Sequence, residues 1–292
     1  MLYEIKLTTT TTYERYANAG RHLLRLMPLD GNLDGQRLIA GSLDIRPSPK
    51  ERTDAYDFFG NRTTEVVFGE SHRKIEFTVR ARVDRYAQAN ELDLSPLLGA
   101  LPAELNMVRT LDARSPHHFL SASPLVGSSA PIAEYALALV GAEMTVFEAV
   151  NALNLALHKD MTYDGDATTV DTPLEEAFEK RKGVCQDFAH IMIACLREIG
   201  IPAGYVSGFL RTEPPKGQPR LEGADAMHAW VQAWCGMECG WIDFDPTNAL
   251  IVGQDHIVVA RGRDYSDVGP VKGVLWTSGD QDTEQAVDVI PL

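Results

Sequence analysis

The chain has 292 residues, about twice the length of a typical domain, so two domains are the starting expectation. Hydrophobic residues make up 45% of it and charged residues 23%, as in an ordinary globular protein that buries a sizeable core. The formal net charge is −14 and there is no long run of Lys or Arg, which argues against nucleic acid as a partner and against a cationic helix on a membrane surface.

The first 85 residues are predicted to form a β-rich domain. Residues 3–7 alternate apolar and polar side chains, which is typical of a half-buried strand, and residues 23–27 are a further strand candidate. Residues 64–68 and 74–80 are predicted to be two strands joined by a polar turn. Loop signals rich in Pro, Gly and Asn separate these segments, so we expect an antiparallel, sandwich-like domain.

Helical signals begin near residue 131. Thr145 and Glu148 form a capping box ahead of an apolar stripe, which predicts the start of a helix. Thr172 and Glu175 form a second one, with Pro173 at the first helical position, where its missing N–H costs little.

The second of these helices is predicted to end at Gly183, after three basic residues. A third helix is predicted from about Cys185, with apolar residues at 3.6 spacing, and Gly200 and Pro202 end it. Strands are predicted next at residues 203–210, 227–234 and 240–245. A helix followed by antiparallel strands indicates the α+β class.

Cys185 is the first candidate for chemistry. It follows a glycine and opens a helix, and a helix N-terminus favours the negatively charged thiolate, which is the nucleophilic form of cysteine. Cysteine is also among the most frequently buried residue types, so packing alone is the competing interpretation.

His228 and Asp245 are candidates for a base and for the group that orients it. His228 shares a strand face with two tryptophans, as either a structural imidazole or a base shielded from water. Asp245 ends the next strand, where antiparallel pairing would bring it beside His228 to fix the tautomer; capping a turn is its alternative role. Asp243 lies on the same face and competes for this position. A Cys at a helix start, a His on a strand and an Asp on the neighbouring strand match nucleophile, base and orienting group.

Three motifs resemble those of the transglutaminase-like superfamily of papain-type cysteine enzymes, in its bacterial two-domain group. They are GVCQDFAH at 183–190, AMHAWV at 226–231 and GWIDFDPT at 240–247. They stand in the family's order, and the resemblance covers about residues 140–250. The family's nucleophile falls on Cys185, its base on His228 and its third member on Asp245, the Asp before Pro-Thr, which favours Asp245 over Asp243.

The resemblance implies an α+β fold with a papain-like transglutaminase core, in which the helix bearing the cysteine packs on an antiparallel sheet, and an N-terminal β-sandwich-like domain. We expect this β-rich domain at residues 1–85, a connector with short helices at 86–135 and the catalytic core at 136–262. A C-terminal extension at 263–292 is expected to pack back on the protein as a strand.

The activity that the resemblance implies is acyl transfer. Cys185 would attack an amide carbonyl to form a thioester, His228 would pass its proton to the leaving amine, and Asp245 would orient the imidazolium. A cysteine protease or amidase with a protein or peptide substrate is the preferred prediction. A protein-glutamine transglutaminase, which passes the acyl group to an amine, is the first alternative, and a noncatalytic protein-interaction module is the second.

The intermediate oxyanion needs hydrogen-bond donors. The backbone N–H of Cys185 is one candidate, and the second donor is unassigned, with Tyr163 and Tyr205 as guesses. No cofactor and no metal is expected. Cys235 and Cys239 lack the second ligand pair of a zinc site. The Asp-Gly-Asp at 164–166 resembles the start of a calcium loop, but positions five and six are Thr168 and Thr169, not Gly, so we interpret it as a turn.

The expected compartment is the bacterial cytoplasm. The N-terminal residues have neither the basic start nor the apolar stretch of a secretory signal. No apolar run approaches the roughly 18 residues of a membrane span. Four cysteines are too few for a disulfide framework in a chain of this length. The oligomeric state is left open.

Overall fold

A computed structural model describes residues 1–31, 35–86, 92–212, 223, 225–276 and 279–292. Strands make up 44% of the fold and helices 24%, which confirms the α+β class. The N-terminal region is all β. Its strands are β1 (Leu2–Leu24), β2 (Gln36–Arg46), β3 (Glu51–Tyr56), β4 (Arg62–Phe68) and β5 (His72–Arg85).

The rest of the chain mixes helices with strands. The helices are α1 (Leu101–Met107), α2 (Ala130–Leu139), α3 (Val146–Asp160), α4 (Leu174–Lys180), α5 (Cys185–Glu198) and α6 (Tyr265–Val268). The strands are β6 (Thr162–Tyr163), β7 (Lys182–Gly183), β8 (Ala203–Leu210), β9 (Ala226–Trp234), β10 (Trp241–Asp245), β11 (Leu250–Ile251), β12 (His256–Gly262), β13 (Val271–Trp276) and β14 (Gln281–Pro291). No helix of the described residues combines the length and the apolar character needed to cross a membrane.

The N-terminal sheet is organised around β1, which is long and bent. Its first half pairs with β5 on one edge and β14 on the other, and its second half pairs with β4 and β13. The partners change where the register shifts between Thr12 and Ala17. The sheet therefore curls, and two antiparallel layers share one strand.

The predicted strand at 3–7 lies in the first half of β1 and the candidate at 23–27 overlaps only its last two residues, so their assignment as separate strands was wrong. The threonines between them are β-branched and suit an extended chain, and Thr9 is buried in the sheet. The polar run therefore continues the strand where the sequence analysis saw none.

The second sheet carries the candidate residues. Its strands are antiparallel, in the order β11-β10-β9-β8-β12. α5 packs on β8 and β9, and α2, α3 and α4 pack in turn on α5. The helix has a long apolar run because it is buried along nearly its whole length. This is the expected arrangement, a helix that bears the cysteine on an antiparallel sheet.

Two of the predicted helix boundaries need correction. The capping box at Thr145 is confirmed, with Glu148 donating its backbone N–H to the Thr145 hydroxyl and accepting in return. The one at Thr172 was wrong, because α4 begins after Pro173 and the Thr172 hydroxyl accepts from the Thr169 N–H instead.

Gly183 does not end α4. That helix ends at Arg181, which adopts the left-handed conformation (φ 54°) and lays its guanidinium over the Phe178 ring. Gly183 lies in β7, two residues further along the chain.

The N-terminal region meets the second sheet along the outer edge of β12. The Gln36 side chain donates to the Val258 carbonyl (2.8 Å) and accepts from the Val258 N–H (2.8 Å). The Asn61 side chain does the same at Arg261, at 2.8 and 2.7 Å. Each buried carboxamide thus replaces one residue of a neighbouring strand, which leaves both of these edge positions satisfied.

Candidate active site

The start of α5 is fixed by Asp187. Its carboxylate accepts from the Val184 backbone N–H (2.8 Å) and from the Thr168 hydroxyl (2.6 Å), so one side chain caps the helix and ties it to the preceding loop. A Cβ on Gly183 would lie 2.4 Å from the Asp187 carboxylate, which explains the glycine two residues before Cys185. Cys185 is the first residue of the helix and is half-buried.

Tyr163 and Tyr205 both lie near Cys185. The short parallel pair β6–β7 sets Tyr163 beside Gly183. Burial raises the pKa of Tyr163, and the negative charge of Cys185 raises it further. Burial, followed by the same charge, raises the pKa of Tyr205 well above its usual value. Both hydroxyls therefore stay protonated beside the thiol and can act as donors.

His228 and Asp245 are in direct contact. His228 Nε2 lies 2.8 Å from Asp245 Oδ2, and both side chains are buried. Burial by itself lowers the pKa of His228, but the hydrogen bonds to Asp245 and Cys185, together with their charges, outweigh burial and raise this pKa to about 10. Because Nε2 is taken by Asp245, Nδ1 is the ring nitrogen left for Cys185.

Asp245 is held by several donors. Its Oδ1 accepts from the backbone N–H groups of Thr247 (3.0 Å) and Asn248 (3.2 Å). Its Oδ2 accepts from the Asn248 side chain (2.7 Å) as well as from the histidine. Burial works to raise the pKa of Asp245, but the hydrogen bonds from the imidazoles and Asn248 hold it well below its usual range. The carboxylate is therefore a fixed negative charge behind His228.

Asp243, the competing carboxylate, faces other partners. Both of its oxygens bind Arg261, and Trp230 donates its indole N–H to one of them (3.0 Å). The structure thus brings together Cys185, His228 and Asp245, and separates Asp243 from this group by giving it a cation of its own.

His256 was missed by the sequence analysis. Its Nε2 lies 3.0 Å from Asp245 Oδ2, the same oxygen that binds His228, and the ring is 2% exposed. Trp230 packs edge-on against it, with ring centroids 5.1 Å apart. His256 lies on β12, three strands away from β10 in the sheet, so no spacing in the sequence announces this contact.

His228, Asp245 and His256 form the one group of described residues close enough to hold a metal ion, with ligand atoms within 4.8 Å of one another. Neither Cys235 nor Cys239 belongs to it, and both are free thiols. The contacts of the group are hydrogen bonds, in which two imidazole N–H groups meet one carboxylate oxygen.

Comparison with known proteins gives the same picture. The profile of the transglutaminase-like superfamily matches residues 133–246, and that of the bacterial transglutaminase-like N-terminal region matches residues 3–84. An uncharacterized protein of Mycobacterium tuberculosis is 34% identical over 303 residues, which covers 99% of this chain and 90% of the relative.

Two further proteins are similar over different extents. A protein-glutamine gamma-glutamyltransferase of Pseudomonas aeruginosa is 39% identical over 82 residues, or 28% of this chain and 12% of that protein. The crystal structure of a candidate cysteine protease from Cytophaga hutchinsonii covers 99% of this chain and 90% of that one, with a TM-score of 0.76 and 21% identity, and so shares the fold. The chain belongs to the transglutaminase-like superfamily, in the bacterial group that carries a transglutaminase-like N-terminal region before the core.

Proposed function

We propose that the protein is a cysteine-dependent acyl-transfer enzyme that hydrolyses peptide or amide bonds through a thioester on Cys185. The observation that carries this proposal is the placement of His228, whose Nε2 lies 2.8 Å from Asp245 Oδ2 and whose pKa is raised by that carboxylate and by Cys185. A nucleophile, a base and an orienting carboxylate in this order are what acyl transfer requires.

The electrostatics support a positive charge beside the nucleophile. Because the pKa of His228 is raised to about 10, the ring is an imidazolium at neutral pH and would stabilise negative charge on the neighbouring sulfur. Asp245 in turn stabilises the imidazolium without taking its proton, since its own pKa is held low.

The reaction then follows in balanced steps. The Cys185 sulfur forms a bond to the carbonyl carbon, and the carbonyl oxygen becomes an oxyanion that the Cys185 N–H can stabilise. His228 gives its proton to the amine as the C–N bond breaks, which leaves a thioester. His228 then takes a proton from water, the hydroxide forms a bond to the carbon, and the C–S bond breaks to release the acid.

We expect a protein or peptide substrate. Two similar proteins support this class, one a candidate cysteine protease and one a protein-glutamine gamma-glutamyltransferase. They differ in the acceptor, which is water or an amine, and water is the default acceptor in a site that admits it. The four free cysteines support our expectation of a reducing compartment such as the cytoplasm.

The experiment is alkylation with iodoacetamide across about pH 5 to 9, where a free thiol has a pKa of roughly 8.5. Mass spectrometry reads each of the four cysteines separately, so Cys239, which is also half-buried, serves as an internal reference. We expect Cys185 to react fastest at pH 6 to 7, as a thiolate does, and to lose this advantage in His228→Ala.

Peptide substrates incubated with and without a primary amine then distinguish hydrolysis from transfer. Amine incorporation in place of hydrolysis would identify a transglutaminase. If Cys185 reacts no faster than Cys239, the enzyme proposal fails and an interaction module becomes the better interpretation.

A further inference from the structure

We propose that His256 is a positioning residue for Asp245, and that the N-terminal region holds His256 in place through β12. This inference rests on the proposed function, because it concerns the carboxylate that orients His228. It gives the N-terminal region a part in the chemistry, although that region contributes no residue to the contacts among Cys185, His228 and Asp245.

His256 makes one side-chain hydrogen bond among the described residues. Its Nε2 donates to Asp245 Oδ2 (3.0 Å), and its Nδ1 has no partner among the described residues. The chain thus buries a polar ring whose hydrogen bond is directed at Asp245 alone. A buried polar atom without a partner destabilises the fold, so a ring buried in this way points to a role for its one hydrogen bond.

The two histidines share one oxygen of Asp245. His228 and His256 approach the same Oδ2, at 2.8 and 3.0 Å, with ring centroids 6.0 Å apart. Rotation of the Asp245 carboxylate would stretch both bonds together. The donor from His256 therefore restricts the direction in which Oδ2 can accept from His228, and so restricts the ring that faces Cys185.

The His256 ring is held by its contact with Trp230. Trp230 packs against it edge-on and also lies beside His228, with ring centroids 6.2 Å apart. There is room for this indole because Gly208 has no side chain; a Cβ there would lie 2.4 Å from the Trp230 ring. The two imidazoles are thus packed against one buried aromatic ring.

The residues that flank His256 are bound to the N-terminal region. His256 is the first residue of β12, and the preceding Asp255 accepts from the Tyr3 hydroxyl (3.0 Å). Two residues after His256, the Gln36 carboxamide binds both backbone groups of Val258. The residues on either side of His256 are therefore attached to β1 and β2. These attachments fix the position of the His256 backbone, from which the imidazole extends.

The test uses three substitutions at His256 and the alkylation rate of Cys185. His256→Gln keeps an N–H donor at about the reach of Nε2, His256→Asn carries the same amide one carbon shorter, and His256→Leu has no donor. We expect Asn and Leu to lower the rate at pH 6.5 by about tenfold or more, the lower range for loss of an orienting partner, and Gln to stay within about threefold of wild type.

Thermal melts and the Cys239 rate, measured in the same samples, distinguish loss of orientation from loss of folding. If His256→Leu does not fold, the Gln and Asn pair carries the comparison, because these two differ only in reach. Equal rates for wild type, Asn and Gln, with a reactive wild-type Cys185, would overturn the role of His256 and leave the proposed function standing. A wild-type Cys185 no faster than Cys239 would overturn both.

The link to the N-terminal region is tested by Gln36→Met, alone and combined with His256→Asn. Met matches the size of Gln and removes both bonds to Val258. We expect a severalfold lower rate in the wild-type background and no further loss beside His256→Asn, because both changes act on one element. Thr9→Val is the control, since Thr9 is buried in β1 and its hydroxyl has no partner among the described residues. Equal losses from Gln36→Met in both backgrounds, or no loss in either, would overturn the link.

Discussion

Asp243 and Arg261 are joined by two parallel hydrogen bonds, Oδ1 to Nη1 and Oδ2 to Nη2, each 3.0 Å long. Both side chains are largely buried, and the indole of Trp230 also donates to Oδ2. A carboxylate with both oxygens committed to a guanidinium is a structural anion. Two residues along the same strand, Asp245 binds two imidazoles instead. The two aspartates share a strand face but have different partners, so we expect their substitution to have different effects on activity and stability.

Asp245→Asn is expected to lower the activity by about 10²–10⁴-fold, because an amide does not stabilise the imidazolium and favours the wrong tautomer. Asp243→Asn is expected to keep most of the activity and to cost about 3 kcal/mol of unfolding free energy, since it removes the negative charge from a buried ion pair with Arg261. Alkylation kinetics and denaturant melts on the two variants measure both effects. The opposite ranking of activities would mean that Asp243 serves the histidine.

Cys185→Ala is expected to abolish activity and to leave the fold intact. The thiol is half-buried at the first position of α5, where it contributes little packing, and the cap from Asp187 to Val184 does not involve it. Cys239→Ala is the matched control, a half-buried cysteine outside the site. Peptide hydrolysis and melting temperature are measured for both; substantial activity in Cys185→Ala would disprove the assignment of the nucleophile.

Gly208→Ala is expected to reduce both stability and reactivity. The new methyl group would lie 2.2 Å from the Ile257 carbonyl oxygen and 2.4 Å from the Trp230 ring, so the indole must move. We expect a loss of about 1–3 kcal/mol, as for overpacked cores, with slower alkylation of Cys185. Gly253→Ala meets no atom within 4 Å and serves as the control. Full stability in Gly208→Ala would show that Trp230 is not wedged against this strand.

The charge pair between His228 and Asp245 makes stability depend on pH with a defined sign. The pKa of His228 is raised in the folded protein to about 10, so its stabilisation is complete below its unfolded pKa of about 6.5 and is lost as pH rises toward 10. The pKa of Asp245 is lowered, so its stabilisation is present above about pH 4 and is lost in stronger acid.

Denaturant melts between pH 6 and pH 10, on wild type and His228→Gln, measure the alkaline limb. We expect the unfolding free energy of wild type to fall more steeply over this range than that of the variant, which cannot titrate at this position. Parallel curves would indicate that His228 is neutral in the folded protein and forms no charge pair with Asp245.

The sequence predicts the site better than it predicts the sheet that supports it. Cys185, His228 and Asp245 lie in motifs whose local structure is short-range, a helix start and two adjacent strands joined by a short loop. The side-chain period along β9 correctly sets His228 and Trp230 on one face, where their ring centroids lie 6.2 Å apart. Local patterns therefore suffice where the partners are close in the chain.

His256 and β1 show where such patterns end. The bond between His256 and Asp245 depends on β12 being added beyond β8, and the course of β1 depends on partners up to 288 residues away, as in the pairing of Tyr3 with Pro291. A sequence pattern read over about ten residues contains no information on either of these long-range contacts. The prediction for the start of α4 was wrong for a different reason. The Thr172 hydroxyl accepts a hydrogen bond from the nearby backbone N–H of Thr169 and does not cap the helix.

The pairing of β1 has a consequence for synthesis. One edge of this strand is filled by β4 and β5, which follow within 85 residues, but the other edge waits for β13 and β14, between Val271 and Pro291. β1 therefore keeps an open edge until residues 271–291 have been synthesised. Contacts of such high sequence separation slow folding, and an unpaired strand edge can recruit other nascent chains. Production at low temperature or with chaperones should therefore raise the soluble yield.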